Sequence, residues 1–320
     1  MEKWKTIRKS EGWGIRIMKL FVIGNGFDLA HGIKSKYWNF GEYLADNYPS
    51  FFNSLNSAIN NDQGIWSDFE AKLPDCGRAM EDTGLSVAQQ RLDELDYDPM
   101  SDEGMGIWMN DQLRFINSLP NVLRSWIESI DIHKPKAYIE GLMSNDDYFL
   151  SFNYTNTLEE VYGIEKDNIL HIHGDVNNTN HELIMGHGDM SQIMWVEKQL
   201  HSSEEAFADC AISIYKSELD FLRKTYKNTH EIISWHEDFF DEIVGIDEIY
   251  VIGSSLSEVD KTYFEKINES TLAKWIFVFY DTKDSFQNRN AVEQIEKFAK
   301  RINLMDEQYI IIPDTDILNK

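Results

Sequence analysis

A glycine-rich turn follows the first apolar run of the chain, residues 19–23. The turn consists of Gly24, Asn25, Gly26, Phe27 and Asp28. Small residues at such a position let a phosphate approach the backbone amides of the next segment. The dinucleotide-binding fingerprint has a third glycine where this chain has Leu29, so the turn indicates either a nucleotide loop or an ordinary tight turn. Asp28 would then cap a helix, or contact a ribose or a reacting water.

Polar side chains follow the second apolar run, residues 148–152. Asn153 stands at the end of this predicted strand, where a parallel sheet delivers side chains into the crevice at its carboxyl edge. Thr155 comes next, and Asn156 and Thr157 stand at the start of a predicted helix. For Asn156 and Thr157 we favour helix capping, because Asn and Thr side chains readily accept an amide hydrogen bond there.

Two histidines lie at the end of the third run, residues 169–172. His171 and His173 would project from the same face of a strand, so with Asp175 they could chelate a metal. The pattern is incomplete, because Val176 occupies the position of a further histidine and the other ligands would have to come from His187 and Asp189 or further away.

His173 is also a candidate general base. It precedes a glycine at a strand end, and the ordinary pKa of a histidine lies near neutral pH. We predict that Asn153 and His173 lie at strand ends that face a crevice, whereas His171 is a hydrogen-bonded core residue.

A fourth turn, with Gly253, Ser254 and Ser255, follows residues 249–252. Its hydroxyls could bind ribose or phosphate, or could cap the helix that begins near Glu258. The sequence contains no Gly-x-Ser-x-Gly, so a serine-hydrolase nucleophile elbow is not supported.

The elements that position these turns alternate between strands and helices, which predicts an α/β fold with a mostly parallel sheet covered on both faces. The predicted strands are residues 19–23, 148–152, 169–172, 249–252, 275–280 and 309–312. The predicted helices include residues 37–46, 108–130, 155–162, 258–268 and 287–301. Helical spacing without a strand candidate predicts helical insertions near residues 51–130 and 190–243.

The composition excludes several classes of protein. The 320 residues are 42% hydrophobic and 13% aromatic, which is enough for a buried core. A formal charge of −25 disfavours nucleic-acid binding. The apolar runs are much shorter than the ~20 residues of a membrane span. Two cysteines, Cys76 and Cys210, cannot build a disulfide framework or a four-cysteine zinc site, which predicts a cytoplasmic location.

Two segments look peripheral. Residues 1–17 have an excess of Lys and Arg and no strand or amphipathic pattern, so we predict a flexible or non-native extension before a domain of residues 18–320. Residues 75–103 are strongly acidic, and we interpret them as a solvated connector rather than a calcium site.

Taken in order, the motifs resemble those of the AbiH family of phage abortive-infection proteins. AbiH openings are similar to Ile-Gly-Asn-Gly-Phe-Asp-Leu-Ala-His-Gly at residues 23–32. A Trp-x-x-Phe-Glu element like that of Trp66, Phe69 and Glu70 follows, and then Phe-Asn-Tyr-Thr and His-Ile-His-Gly. The resemblance implies an antiphage effector whose partners include a phage trigger or a second defence protein. Glu70 would join the site or be a surface carboxylate.

The same motifs are distantly similar to those of sirtuins, which carry Gly-Ala-Gly-Ile-Ser, Gln-Asn-Ile-Asp, a strand ending in His-Gly, and Gly-Thr-Ser-Leu. This resemblance implies a Rossmann-like sheet that binds NAD, with Asn153, His173 and Asp28 as catalytic residues. Thr155 replaces the sirtuin Asp that holds the nicotinamide amide, so protein deacylation is disfavoured. The implied cofactor-binding residues are Gly24, Asn25, Gly26, Phe27, Thr155, Gly253, Ser254 and Ser255.

The leading hypothesis is therefore a homo-oligomeric NAD glycohydrolase that needs no metal and binds neither membrane nor nucleic acid. A first alternative is a metal-dependent hydrolase or nuclease that uses His171, His173, Asp175 and His187. A second is a non-catalytic nucleotide sensor that controls an assembly.

Overall fold

The described residues form a six-stranded parallel sheet in the order β3-β2-β1-β4-β5-β6. The structure is a computed structural model that describes residues 17–59, 62–93, 100–132, 139, 141–178 and 182–318. The strands are β1 Lys19–Ile23, β2 Tyr148–Ser151, β3 Ile169–His171, β4 Glu248–Ile252, β5 Lys274–Phe279 and β6 Tyr309–Pro313. This Rossmann-like α/β fold confirms the predicted fold class and all six predicted strands.

The inner strand β1 shows why the apolar runs predicted strands of this kind. Leu20, Phe21, Val22 and Ile23 are all fully buried, because a parallel strand covered on both faces is apolar at every position instead of at alternate ones. The Phe21 ring stacks on the Phe149 ring of β2, with ring centroids 5.2 Å apart. Such packing fixes the neighbouring strands in register and thereby aligns their carboxyl ends.

The described residues divide into two compact units. One consists of residues up to Lys36, residues 127–183 and residues from Asn228 onward, and it contains the whole sheet. The other consists of Tyr37–Trp126 and Ile184–Lys227, and its described elements are helical. The α-helices among the described residues are α1 Asn25–Ala30, α2 Tyr37–Asn47, α3 Pro49–Ala58, α4 Phe69–Asp93, α5 Met100–Leu113, α6 Leu119–Ser129, α7 Thr157–Tyr162, α8 Met190–Glu205, α9 Asp209–Lys224, α10 Thr229–Trp235, α11 Glu237–Glu242, α12 Lys261–Ser270, α13 Ser285–Arg301 and α14 Asp314–Leu318.

One helix predicted as continuous, residues 108–130, is broken. The short 3-10 helix Arg114–Ser118 separates α5 from α6. Pro120 explains the break, because inside a longer helix its ring would clash with the carbonyl of Ile116. In the structure Pro120 is the second residue of α6, where a helix amide needs no partner.

Residues 1–16 of the predicted extension lie outside the described residues, as do residues 94–99 of the acidic segment. Residues 75–93 of that segment belong to α4, where Cys76, Met80 and Glu81 are buried, so the prediction of a solvated connector is wrong for them. At the start of the sheet, the Met18 amide donates to Asp247 Oδ2 at 2.8 Å, and the Asp247 amide donates to the Met18 carbonyl at 2.9 Å. None of the described helices is both long and apolar enough to cross a membrane.

Candidate functional site

The turns after β1, β2, β3 and β4 lie along one edge of the sheet. Their backbones continue the strand pairing, since the Phe152 amide donates to the Ile23 carbonyl at 2.9 Å and the Ile172 amide donates to the Ser151 carbonyl at 3.1 Å. The chain order along the sheet reverses between β1 and β4. In open α/β sheets, ligands bind outside the carboxyl ends of the strands at such a reversal. The tertiary structure thus places the four predicted turns at one edge.

Close backbone contact explains the glycines of the β1 and β4 turns. The Gly26 amide donates to the Gly253 carbonyl at 2.7 Å, and the Gly24 amide donates to the Ile252 carbonyl at 3.0 Å. Gly253 has a φ of +68°, a conformation that favours glycine. The Phe27 amide is bonded to the Gly24 carbonyl. A ligand at this edge would therefore need other donors of the turns, such as the Ser254 and Ser255 hydroxyls.

Gly26→Ala should destabilise the protein by more than about 2 kcal/mol, because the new methyl group would lie 2.8 Å from the Gly253 Cα atom and neither backbone can move without losing sheet pairing. Gly245→Ala is the matched control. Gly245 has open space around its Cα, so its substitution should change the free energy of unfolding by less than about 0.5 kcal/mol. Urea denaturation measures both values. Equal stability of the two variants would contradict the tight contact between the turns.

Asp28 is the buried centre of the β1 and β2 turns, with 1% of its surface exposed. Thr155 Oγ1 donates to Asp28 Oδ2 at 2.6 Å, and Thr157 Oγ1 donates to Asp28 Oδ1 at 2.7 Å. Burial raises the pKa of Asp28 to about 6, although hydrogen bonds from Thr155, Thr157 and Asn153 oppose the increase. Asp28 thus holds the two turns together, with a carboxyl group that titrates near neutral pH.

The capping roles that we favoured or considered for these polar residues are wrong. Asp28 lies inside α1, whose N-cap is Gly24. Asn156 is the N-cap residue of α7, but its side chain makes no capping hydrogen bond within the described part of the chain. The Thr157 hydroxyl bonds to Asp28 instead. Helix α12 begins at Lys261, after the N-cap residue Asp260. Ser254 and Ser255 therefore lie too far upstream to cap it.

Asn153 joins the β2 turn to the β1 turn. Its side-chain Nδ2 donates to the Gly24 carbonyl at 3.1 Å, and its own amide donates to Ser151 Oγ at 3.2 Å. The residue is buried, with 7% of its surface exposed. Its amide group therefore has a defined orientation at the carboxyl edge, which a residue that positions a water or a sugar requires.

His173 lies beside Asp260, the residue before α12, with 3.6 Å between His173 Nε2 and Asp260 Oδ1. The second Asp260 oxygen, Oδ2, accepts a hydrogen bond from the Ser257 hydroxyl at 3.0 Å. A carboxylate beside an imidazole stabilises the positive charge that a general base acquires. We predicted that Asn153 and His173 face a crevice, and in the structure both side chains are buried instead. His173 is only 3% exposed, because the rings of Phe152 and Tyr263 lie 5.5 and 5.6 Å from its own.

His171 has different partners from His173. Its Nδ1 lies 3.0 Å from the Asn153 carbonyl oxygen and its Nε2 lies 3.2 Å from Glu159 Oε1. The prediction of a hydrogen-bonded histidine is thus met, with both ring nitrogens used. The two histidines do not converge on one point, as a chelating pair would, because each ring is directed to a different carboxylate.

Of the other two residues in the metal hypothesis, Asp175 accepts a hydrogen bond from the Asn177 amide at 2.8 Å, and His187 lies in the helical unit. Its Nε2 lies 3.0 Å from the Leu222 carbonyl oxygen, and its Nδ1 accepts a hydrogen bond from the Asp189 amide at 3.1 Å. Burial lowers the pKa of His187. Among the described residues, no three His, Cys, Asp or Glu side chains are grouped so that they could hold a metal ion.

Glu70 also lies in the helical unit, where it is not the surface carboxylate that we considered. Its Oε2 accepts hydrogen bonds from the buried Lys227 ammonium at 2.9 Å and from the Gly186 amide at 3.3 Å. The Tyr37 hydroxyl donates to Glu70 Oε1. The rings of Trp66 and Phe69 stack with centroids 5.5 Å apart. The Trp-x-x-Phe-Glu element therefore supplies an aromatic core and a buried ion pair.

A comparison with protein families decides the identity of the chain. The sequence profile described as bacteriophage abortive infection AbiH matches residues 20–281, which is more than half of the chain. The chain belongs to the AbiH family. It therefore has a role in defence against bacteriophages by abortive infection. The match includes the turns after β1, β2, β3 and β4, together with Glu70. A comparison with curated proteins finds no match.

In this AbiH protein, sequence reasoning missed Asp260, Glu159 and the role of the Thr157 hydroxyl. Asp260 follows a Ser-Glu-Val sequence typical of a helix start, and Glu159 occupies the first turn of α7, where acidic residues are common. Thr157 looked like a helix cap because it stands at the start of α7. The one available signal was the position of each residue a few places after a turn at the carboxyl edge.

Proposed function

We propose that this AbiH protein binds NAD or a related nucleotide at the carboxyl edge of its sheet and hydrolyses the bond between nicotinamide and ribose. The observation that supports this proposal most is that one sheet edge brings together Asp28, the oriented amide of Asn153, and the pair of His173 and Asp260. These groups lie at the chain reversal where α/β folds bind nucleotides. The order of the motifs, similar to that of sirtuins, agrees with this ligand class.

The reaction that these groups could support consumes one water. The electron pair of the bond between the ribose carbon and the nicotinamide nitrogen leaves with nicotinamide, and the water oxygen bonds to the ribose carbon. One proton is released, which His173 would accept while Asp260 stabilises the resulting charge. The Asn153 side chain would orient the water or a ribose hydroxyl, because its amide provides an acceptor as well as donors. The products are nicotinamide, ADP-ribose and a proton.

Incubation of the full-length protein with NAD tests the proposal. Nicotinamide is measured by chromatography, with and without EDTA, and with and without extract from phage-infected cells, since an abortive-infection effector acts after infection. We expect nicotinamide release that is insensitive to EDTA and is abolished by Asn153→Ala. Saturable NAD binding without turnover in every arm would contradict hydrolysis and support a nucleotide sensor. EDTA-sensitive cleavage of another substrate would support a metal-dependent hydrolase.

A further inference from the structure

We infer that His171 is a positively charged positioning residue, which fixes the main chain of Asn153 through one ring N–H and binds Glu159 through the other. Its effect on turnover rests on the proposed function, whereas its charge state does not.

The two hydrogen-bond partners determine the protonation of the ring. His171 Nδ1 lies 3.0 Å from the carbonyl oxygen of Asn153, and a carbonyl oxygen can only accept. His171 Nε2 lies 3.2 Å from Glu159 Oε1, and an ionised carboxylate can also only accept. A neutral imidazole carries one N–H, so with Glu159 ionised it could make only one of these bonds. Both are made when both nitrogens carry a proton, which makes the ring an imidazolium.

The charged groups around His171 favour this state. Glu159 faces the ring from α7, Asp175 from the turn after β3, and Asp28 from α1. Burial opposes a positive charge, since only 8% of the His171 side chain and 10% of the Glu159 side chain are exposed. Burial lowers the pKa of His171, but the hydrogen bond and the negative charge of Glu159 outweigh this effect and raise it above the usual 6.5.

The imidazolium holds the backbone of the residue to which we assign the orienting role. The Asn153 carbonyl is bound by His171 while the Asn153 side chain is bound to the Gly24 carbonyl. The main chain of Asn153 is thus bonded to His171 at the end of β3, and its side chain is bonded to Gly24 after β1. Loss of the ring N–H that reaches the Asn153 carbonyl would leave the Asn153 main chain with its bonds to Ser151 Oγ and make the orientation of the amide less defined.

The charge state can be measured directly by NMR. The full-length protein labelled with ¹⁵N-histidine is titrated between pH 5 and pH 9, and the ring signals of His171 are assigned by their loss in His171→Gln. We expect both ring nitrogens to show the shifts of protonated nitrogen at pH 7. In Glu159→Gln the pKa of His171 should fall by about 1 to 3 units, because a partner charge in direct contact is removed. Glu160→Gln, which neutralises the exposed neighbouring carboxylate of α7, should leave that pKa unchanged.

A pH profile of nicotinamide release separates positioning from a merely structural role. In the wild-type protein, nicotinamide release should fall as the pH rises through the His171 pKa measured by NMR, because a neutral ring beside the ionised Glu159 keeps only one of its two bonds. Glu159→Gln should not show this fall, because its amide can donate to the unprotonated Nε2 and leave the Nδ1 proton on the Asn153 carbonyl. The same fall in both proteins would overturn the positioning role. A His171 ring with one unprotonated nitrogen at pH 7 would overturn the charge assignment. If the titration is as expected and the wild-type protein releases no nicotinamide in any arm, the proposed function fails while the charge assignment stands.

Discussion

His173→Gln should reduce nicotinamide release by about 100- to 10,000-fold while the protein remains folded. Glutamine cannot take up a proton at neutral pH, so the variant lacks the base that receives the proton of the attacking water. Its side chain is similar in size to histidine and fills the space beside Phe152 and Tyr263, where alanine would leave a cavity. The measurements are kcat/KM for NAD and the midpoint of thermal unfolding.

The matched control for this variant is His230→Gln, which changes an exposed histidine of α10. It should leave both measurements unchanged. Asp260→Asn should also lower kcat/KM, but by a smaller factor than His173→Gln, because it removes only the charge that stabilises the protonated base. A folded His173→Gln protein with activity within threefold of the wild type would show that His173 is not the base.

Asp28→Asn should stabilise the protein at alkaline pH and yet lower its activity. The pKa of Asp28 is raised by burial from 3.8 to about 6, so the folded state favours the protonated carboxyl. The stability that this preference contributes is complete below the unfolded-state pKa near 3.9 and is lost as the pH rises through 6. At pH 8 the buried carboxylate is ionised, and a shift of about two units corresponds to up to roughly 3 kcal/mol of lost stability.

An asparagine at position 28 does not ionise and avoids this loss. Part of the gain is offset because an amide cannot accept hydrogen bonds from both Thr155 and Thr157 in the way a carboxylate does. We therefore expect the free energy of unfolding to increase by about 1 to 2 kcal/mol at pH 8 and by less at pH 5. The altered bonding shifts the β2 turn, so nicotinamide release should fall by about tenfold or more.

Urea denaturation at pH 5 and pH 8 checks the stability change. The control variant is Asp238→Asn, which neutralises an exposed carboxylate of α11 and should have little effect at either pH. A loss of stability in Asp28→Asn that is the same at both pH values would show that the carboxylate itself is required by the fold. Such a result would contradict the expectation that ionisation of the buried Asp28 at pH 8 lowers the stability of the wild-type protein.

The sequence by itself determined the strands, the fold class and the family. Runs such as residues 19–23 predicted buried parallel strands because a strand covered on both faces is apolar at every position, which is a local property. The motif order predicted the AbiH family, which the match to residues 20–281 confirms. Local sequence also predicted which turns carry polar residues, because each turn directly follows its strand. These predictions needed no knowledge of which strands are neighbours.

Only the tertiary structure decided which side chains are partners. Asp28 bonds to Thr157, which is 129 residues away in the chain, and Glu70 bonds to Lys227, which is 157 residues away. The glycines of the β1 turn, compatible with a phosphate loop, are required by contact with Gly253. The physical reason is that strand order brings together turns that are remote in sequence. A threonine at the start of a helix can cap that helix or bond to a buried carboxylate, and its local sequence is the same in both cases. For Thr157, the position of Asp28 in the neighbouring turn decides between the two roles.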